Sequence, residues 1–240
     1  MSTPATGAVP TVGDAATTVR VSARGLVKRF GETTALAGID LDLADGEALA
    51  VTGPSGSGKS TLLHCLAGIL VPDAGTVALR GRPVHGLDER ERSLLRRSHY
   101  GFVFQNGQLL PELPAVENVA LPAMLTGTSR REATDLAARW LHSLGLAGME
   151  GRRPGELSGG QAQRVAVARA LVTQPDVVFA DEPTGALDQA NGFEVMRLLT
   201  QATRSVGACL VVVTHDPQVA AWCGRRIEVR DGRVVEEVRQ

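Results

Sequence analysis

Eight consecutive residues, Gly53-Pro54-Ser55-Gly56-Ser57-Gly58-Lys59-Ser60, have the types and spacing of a phosphate-binding loop. Glycines let the backbone curl until successive N–H groups converge on phosphate oxygens. A helix opening at the end of the loop adds partial positive charge. In this pattern Lys59 reaches the β- and γ-phosphates of a nucleoside triphosphate. The Ser60 hydroxyl ligates Mg2+, and Thr61 follows in the same site. A second constellation is Val177-Val178-Phe179-Ala180-Asp181-Glu182, an apolar run ending in two carboxylates. Asp181 would hold Mg2+ through water, and Glu182 would take a proton from an attacking water. An acid pair before Pro183-Thr184 also suits a helix cap, and taken alone this motif leaves both readings open. The phosphate loop elsewhere in the chain favours the first.

Both motifs need a strand before them and a helix behind. The sequence predicts a strand over 47–52 leading into the loop, then a helix over 61–69 closed by Gly68 and the turn Pro72-Asp73. It predicts strands over 176–180 and 208–213, followed by helices over 191–205 and from Pro217. Apolar strands alternating with helices imply a mainly parallel sheet covered on both faces. Ahead of them, 19–23 and 39–43 alternate with period two, and 75–79 reads as a further strand before the turn Gly81-Arg82-Pro83. These short strands are expected to pair antiparallel. Helical spacing marks 117–125, 130–144 and 161–171, and strands over 226–230 and 233–238 close the chain around Asp231-Gly232. Residues 1–18 lack a basic and apolar leader and read as a disordered tail, leaving 19–240 as one folded unit.

Composition removes several classes of function. The 240 residues carry 25 Lys+Arg against 26 Asp+Glu, a net charge of -1, so no global field points at nucleic acid or anionic lipid. Aromatic residues make up 3%, too few for a wall of stacking rings on single-stranded nucleic acid. Cys65, Cys209 and Cys223 are odd in number and show no paired spacing, which fits small buried thiols in a reducing cytoplasm. No apolar run approaches the roughly 18 residues of a membrane span.

A further segment, Leu157-Ser158-Gly159-Gly160-Gln161, resembles the signature motif of ATP-binding-cassette ATPases. The resemblance runs from about residue 20 to the C-terminus, with each family motif in order. Gln105, in Phe102-Val103-Phe104-Gln105, matches the Q-loop glutamine. Gly185-Ala186-Leu187-Asp188 matches the D-loop, and His215, in Thr214-His215-Asp216, matches the switch histidine. Phe30 stands where the family places the adenine-stacking aromatic. The resemblance implies an α/β fold of the P-loop NTPase cassette type. That fold has a RecA-like, mainly parallel sheet core, an antiparallel β subdomain and a helical subdomain over about 106–170. It implies ATP and Mg2+ as ligands, with Lys59, Glu182 and His215 catalytic. Gly53 to Thr61, Phe30 and Gln105 would contact ATP, and Ser60, Gln105 and Asp181 would surround the metal. It further implies two copies bound head to tail, each ATP lying between one P-loop and the other copy's signature, with Asp188 near the interface. From the residues alone, Ser158 is equally an ordinary helix N-cap. Ala186 departs from the polar residue common at its D-loop position, which leaves the detail of the cross-dimer contacts open.

Tyr100 to Gln105, Leu109-Leu110-Pro111, Val116-Glu117-Asn118-Val119 and Ala180 to Gly185 with Leu187-Asp188 are similar to one bacterial branch of this family. That branch contains the ATPases of macrolide and peptide exporters, lipoprotein-release machines and the cell-division complex. It implies a separate integral membrane permease as partner, and a cytoplasmic protein held peripherally on the inner face of the membrane. The alternative is a soluble cassette ATPase acting on DNA or ribosomes. Such relatives carry a long coiled-coil insertion or two cassettes, neither of which fits in 240 residues, and the balanced charge speaks against nucleic acid. The resemblance places the permease groove near the Q-loop. There Leu109, Leu110, Leu113 and Val116 are unusually apolar for a loop bearing Pro111 and Pro114. A loop buried in its own domain would have unmet backbone polar groups, so part of this apolar surface is expected to await a partner helix.

Overall fold

The computed structural model describes residues 18–239, so the expected tail lies, but for Thr18, outside them. In chain order the elements are β1 (Val19–Phe30), β2 (Thr33–Ala44), β3 (Ala48–Thr52), α1 (Lys59–Leu66), β4 (Ala74–Leu79), β5 (Arg82–Pro83), α2 (Glu89–His99), β6 (Tyr100–Phe104), α3 (Ala115–Leu125), α4 (Arg130–Ser143), a 3-10 turn (Pro154–Glu156), α5 (Gly159–Leu171), β7 (Val177–Asp181), α6 (Gln189–Ser205), β8 (Cys209–Val213), α7 (Pro217–Ala220), β9 (Arg225–Arg230) and β10 (Arg233–Arg239). One sheet has the order β2-β1-β4-β5 and is antiparallel throughout. The other has the order β10-β9-β3-β8-β7-β6, parallel except at the β10–β9 edge.

The second sheet lies between two cores because its strands are apolar on both faces. In β8, Cys209, Val211 and Val213 face one core with α1 and the antiparallel sheet, while Leu210 and Val212 face the other with α3 to α6. Helices α3 and α4 lean on α5, and α5 lies directly on β6. Gly101 of β6 permits that approach, since a Cβ there would sit 2.2 Å from the Ala170 carbonyl oxygen. All three cysteines are buried and free, and burial pushes the thiols of Cys65 and Cys223 up to about 11 and about 12.

Three local expectations change. The first strand runs on past 23 to Phe30. An irregularity at Gly25 (φ 57) shifts the register between Ala23 and Leu26, so the buried set moves from Val21 and Ala23 to Leu26 and the alternation breaks. Arg82 and Pro83 do not only turn; they pair with β4 as a two-residue edge strand, where a proline costs no ladder bond. Helix α2 is not expected from the sequence because it buries no residue and shows no apolar stripe. Its legible signal was the reciprocal cap of Asp88 and Glu91, which the structure forms.

The two sheets and α2 are pinned at Asp176, just before β7. Its carboxylate receives Arg20 from β1, Arg80 beyond β4 and His99 Nδ1 at 2.7 Å from the end of α2. Burial works to push this carboxyl up, yet the hydrogen bond from His99 and the fields of Arg80 and Arg20 hold it below the usual carboxylate range. Removing the Asp176 carboxylate would leave buried Arg20 with Asp45 alone, while Arg80 and His99 are exposed enough for water to replace it. Asp176→Ala should lower stability by about 1–2 kcal/mol, a fall of roughly 2–8 °C in Tm for a domain of this size. Because the folded value is depressed, the contribution is complete above about pH 4 and disappears as the pH falls through the folded value. Thermal melts at neutral and acid pH check this. Equal melting of the two proteins at neutral pH would show that the junction adds nothing.

Candidate functional site

Strands β6, β7, β8 and β3 are parallel neighbours, so their C-terminal ends form one edge. Those ends carry Gln105, Asp181-Glu182, Thr214-His215 and the 53–60 loop respectively. This is the edge at which open α/β sheets collect ligands. Sequence positions spread over more than half the chain are brought together there.

In the loop, Gly58 adopts φ 103 and caps α1 with its backbone alone, and a Cβ on it would meet the Ala35 carbonyl oxygen at 2.3 Å. The Lys59 side chain folds back over the loop and is buried, its Nζ donating to the carbonyls of Gly53 and Pro54 at 2.8 Å each. Among the described residues no carboxylate pairs with this ammonium. Ser57 Oγ is buried in the same loop without a hydrogen-bond partner. An uncompensated buried cation and an orphaned hydroxyl, set at a helix N-terminus, suit a phosphate chain. Ser55 and Gly56 form the exposed crest, and Thr61 is half-buried behind it.

Ser60 Oγ donates to Asp181 Oδ1 at 3.2 Å, across from loop to strand end. Register places Phe104 opposite Asp181, so Gln105 stands at the neighbouring strand end, exposed, with its Nε2 against Gly185. A hydroxyl, a carboxylate and an amide oxygen are hard donors of the kind Mg2+ takes while keeping water and phosphate ligands. The three residues fit such an ion.

Glu182 follows with φ 46, a left-handed conformation uncommon outside glycine that costs about 1–3 kcal/mol and clusters at functional sites. Several bonds hold it there. Its N–H donates to the Val213 carbonyl at 2.9 Å, and its own carbonyl accepts from Gly185 at 3.1 Å. Its carboxylate accepts from His215 Nδ1 at 2.7 Å and from Thr214 Oγ1 at 3.3 Å. The carboxylate is thus aimed from β7 toward the end of β8, beside an exposed imidazole. The role of Thr214 was not read from the sequence, although its place before His215 at a strand end was a signal.

The signature segment opens α5. Ser158 accepts from Gln161 N at 3.3 Å while Gln161 Oε1 accepts from Ser158 N at 2.9 Å, a complete reciprocal cap. Its glycines lie against the D-loop side, Gly159 beside Leu187 and Gly160 beside Asn191. Asp188 caps α6 through Asn191 N at 2.9 Å, and that bond holds its carboxyl below the ordinary range. No hydrogen bond among the described residues joins the signature to the chain's own P-loop, so α5 offers a second helix N-terminus not engaged by the first. Phe30 ends β1 with its ring exposed at the tip of the β1–β2 hairpin, whose Ala35 touches Gly58.

Backbone groups of the 106–119 segment are bonded by Asn118 within it and by Arg169, Glu150 and Arg152 around it. Buried Asn118 accepts from Leu110 N at 2.8 Å and donates to the carbonyls of Leu110 and Leu113 at 3.0 and 2.9 Å. Leu109 and Val116 pack inward on the helical core. The premise that burying this loop would leave backbone groups unmet is therefore corrected, and the apolar surface left to await a partner narrows to Leu110, 43% exposed, with Leu113 half-buried beside it. Gln163 and Arg169 of α5 also reach this region. They went unread because their partners are backbone carbonyls distant in sequence.

The family model described as ABC transporter matches residues 36–185. The ABC transporter ATP-binding protein YbbA of Escherichia coli is 48% identical over 206 residues, 86% of this chain and 90% of its own length. The lipoprotein-releasing system ATP-binding protein of Bacteroides thetaiotaomicron is 43% identical over 217 residues, covering 90% of this chain and 100% of itself. A macrolide export ATP-binding/permease protein of Bradyrhizobium diazoefficiens is 48% identical, but the chain spans only 32% of its length. Among solved structures, a dimeric ATP-binding cassette in a post-hydrolysis state with ADP and Pi superposes with TM-score 0.83 at 38% identity, over 91% of this chain and 98% of that one.

Proposed function

The chain belongs to the ABC transporter family, and from that premise we propose that it binds ATP with Mg2+ between two copies of itself, hydrolyses it, and drives a separate membrane permease. One observation carries the proposal. A buried ammonium without a counter-anion, in the loop after β3, and a hydrogen-bonded carboxylate on a left-handed backbone, after β7, stand on one sheet edge with only β8 between them. A phosphate chain supplies the missing anion, and the carboxylate supplies the base.

In this reading the P-loop amides and Lys59 bind the phosphates and offset their charge. Ser60, Asp181 and Gln105 hold Mg2+, which when bound neutralises charge on the β- and γ-phosphates. Glu182 accepts the proton of the attacking water. His215 keeps the carboxylate oriented through Nδ1 and leaves its other ring nitrogen for the γ-phosphate. Phe30 stacks on adenine. The Ser158 end of α5 contacts the ATP of the second copy, and Asp188 lies near the interface. Mg2+-dependent phosphate release from ATP by the purified chain tests the reading, and no release with or without the permease refutes it.

No helix among the described residues is long and apolar enough to cross a membrane. We place the protein on the cytoplasmic face through its permease, in a system of the export or lipoprotein-release kind. The exposed Leu110, on a loop made rigid by Asn118, is the surface offered to that partner. Leu110→Glu should reduce co-purification with the permease at least about tenfold, the cost of burying an unpaired charge at a contact. Recovery of the complex at the wild-type level would move the coupling surface elsewhere.

A further inference from the structure

Helix α5 does more than present the signature. In its second turn Gln163 is 2% exposed, and its Nε2 spends both hydrogens on two distant backbone carbonyls. These are Phe104 at 2.8 Å and Pro183 at 2.7 Å. Phe104 immediately precedes Gln105, and Pro183 immediately follows Glu182. Two turns further on, Arg169 donates to the carbonyls of Gly107 and Gln108 at 2.7 Å each. One helix thus holds the Q-loop on both sides of Gln105 and the backbone next to Glu182.

We propose that Gln163 is a positioning residue that ties the signature helix to the catalytic loop, so that Glu182 is aligned only when α5 is seated. The inference rests on the functional reading above. Glu182 occupies a left-handed backbone conformation, and such conformations persist only where surroundings over-determine them. Pro183 offers no N–H, so its carbonyl is the handle by which that side of the loop can be fastened. A planar primary amide is the side chain that can donate to two carbonyls at once without carrying charge into the interior. Displacement of α5, for instance when its N-terminus meets the second copy's ATP, would pull on Phe104 and Pro183 together. Signature engagement and base alignment would then be one event.

Gln163→Leu keeps the volume and removes both donors. Its kcat should fall about 10- to 100-fold, the size of effect that small misplacement of a reacting group produces. Its ATP dissociation constant should stay within about twofold, since no P-loop contact changes. In a Glu182→Gln background the same substitution should alter the residual rate less than about twofold, because a residue acting through Glu182 has nothing left to align. Gln163→Glu supplies an independent readout. When ionised it has no donor, and when protonated it regains one. Its kcat relative to wild type should therefore climb as the pH is lowered from about 8 to about 6. A wild-type kcat in Gln163→Leu beside an inactive Glu182→Gln would overturn the tether alone. An equal loss in both backgrounds would make Gln163 merely structural and overturn it too. Full hydrolysis by Glu182→Gln would overturn the reading of the site, and the tether with it. Should the Leu variant not fold, a constant ratio of Gln163→Glu to wild type across the pH range would also overturn the tether.

Discussion

Lys59→Ala should lower ATP turnover by about 10²–10³-fold, the effect of removing one preorganised donor from a developing charge. The physical reason is specific to this loop. The ammonium is buried, makes two neutral hydrogen bonds to Gly53 and Pro54, and has no anionic partner. Its charge is compensated only when a phosphate chain enters, so its contribution is reserved for the liganded state. ATP affinity should also weaken, by roughly 10- to 100-fold for the loss of a charge-assisted bond. Stability should not fall, because the substitution removes an uncompensated buried charge. Phosphate release, nucleotide titration and a thermal melt on one preparation separate these effects. Wild-type hydrolysis by the alanine variant would refute the assignment of the loop.

Glu182→Gln should divide binding from hydrolysis. The amide preserves the shape and can still accept from His215 or Thr214, but it cannot take a proton from water. Turnover should drop about 10²–10⁴-fold while ATP affinity changes little, the mark of a group used only in the transition state. A substantial residual rate at unchanged affinity would place the base elsewhere on the strand ends. Asp181, engaged by Ser60, would be the next carboxylate to test.

The chemistry of this site was legible wherever it is local in sequence. The 53–60 loop is read from residue types and spacing alone, the Asp181-Glu182 pair stays open to a cap reading until that loop is set beside it, and the 157–161 segment and His215 are read only through the family resemblance. The parallel sheet followed from strands too apolar to face water. What stayed hidden depends on meetings between distant segments. Nothing in the sequence around Gln163 shows that its amide bridges Phe104 and Pro183. Asn118 looks like one polar residue among others until the loop closes around it. The left-handed backbone at Glu182 is equally silent, because the residue that adopts it is not glycine. Helix α2 escaped for the opposite reason. It is held by its caps, its charges and one packed side chain, Leu95, rather than by an apolar stripe, and its Arg96 and Arg92 both bind Glu89.

At the centre of the proposed mechanism, two copies close over two ATP and each signature completes the other's P-loop. Sedimentation velocity of the Glu182→Gln protein, with and without ATP and Mg2+, tests this most directly because hydrolysis no longer empties the sandwich. A single chain without nucleotide should become a two-chain species holding one ATP per chain, and Ser158→Arg in the same background should abolish the shift. Protein that binds ATP stoichiometrically yet sediments as a single chain at every concentration, alone and with its permease, would contradict the mechanism.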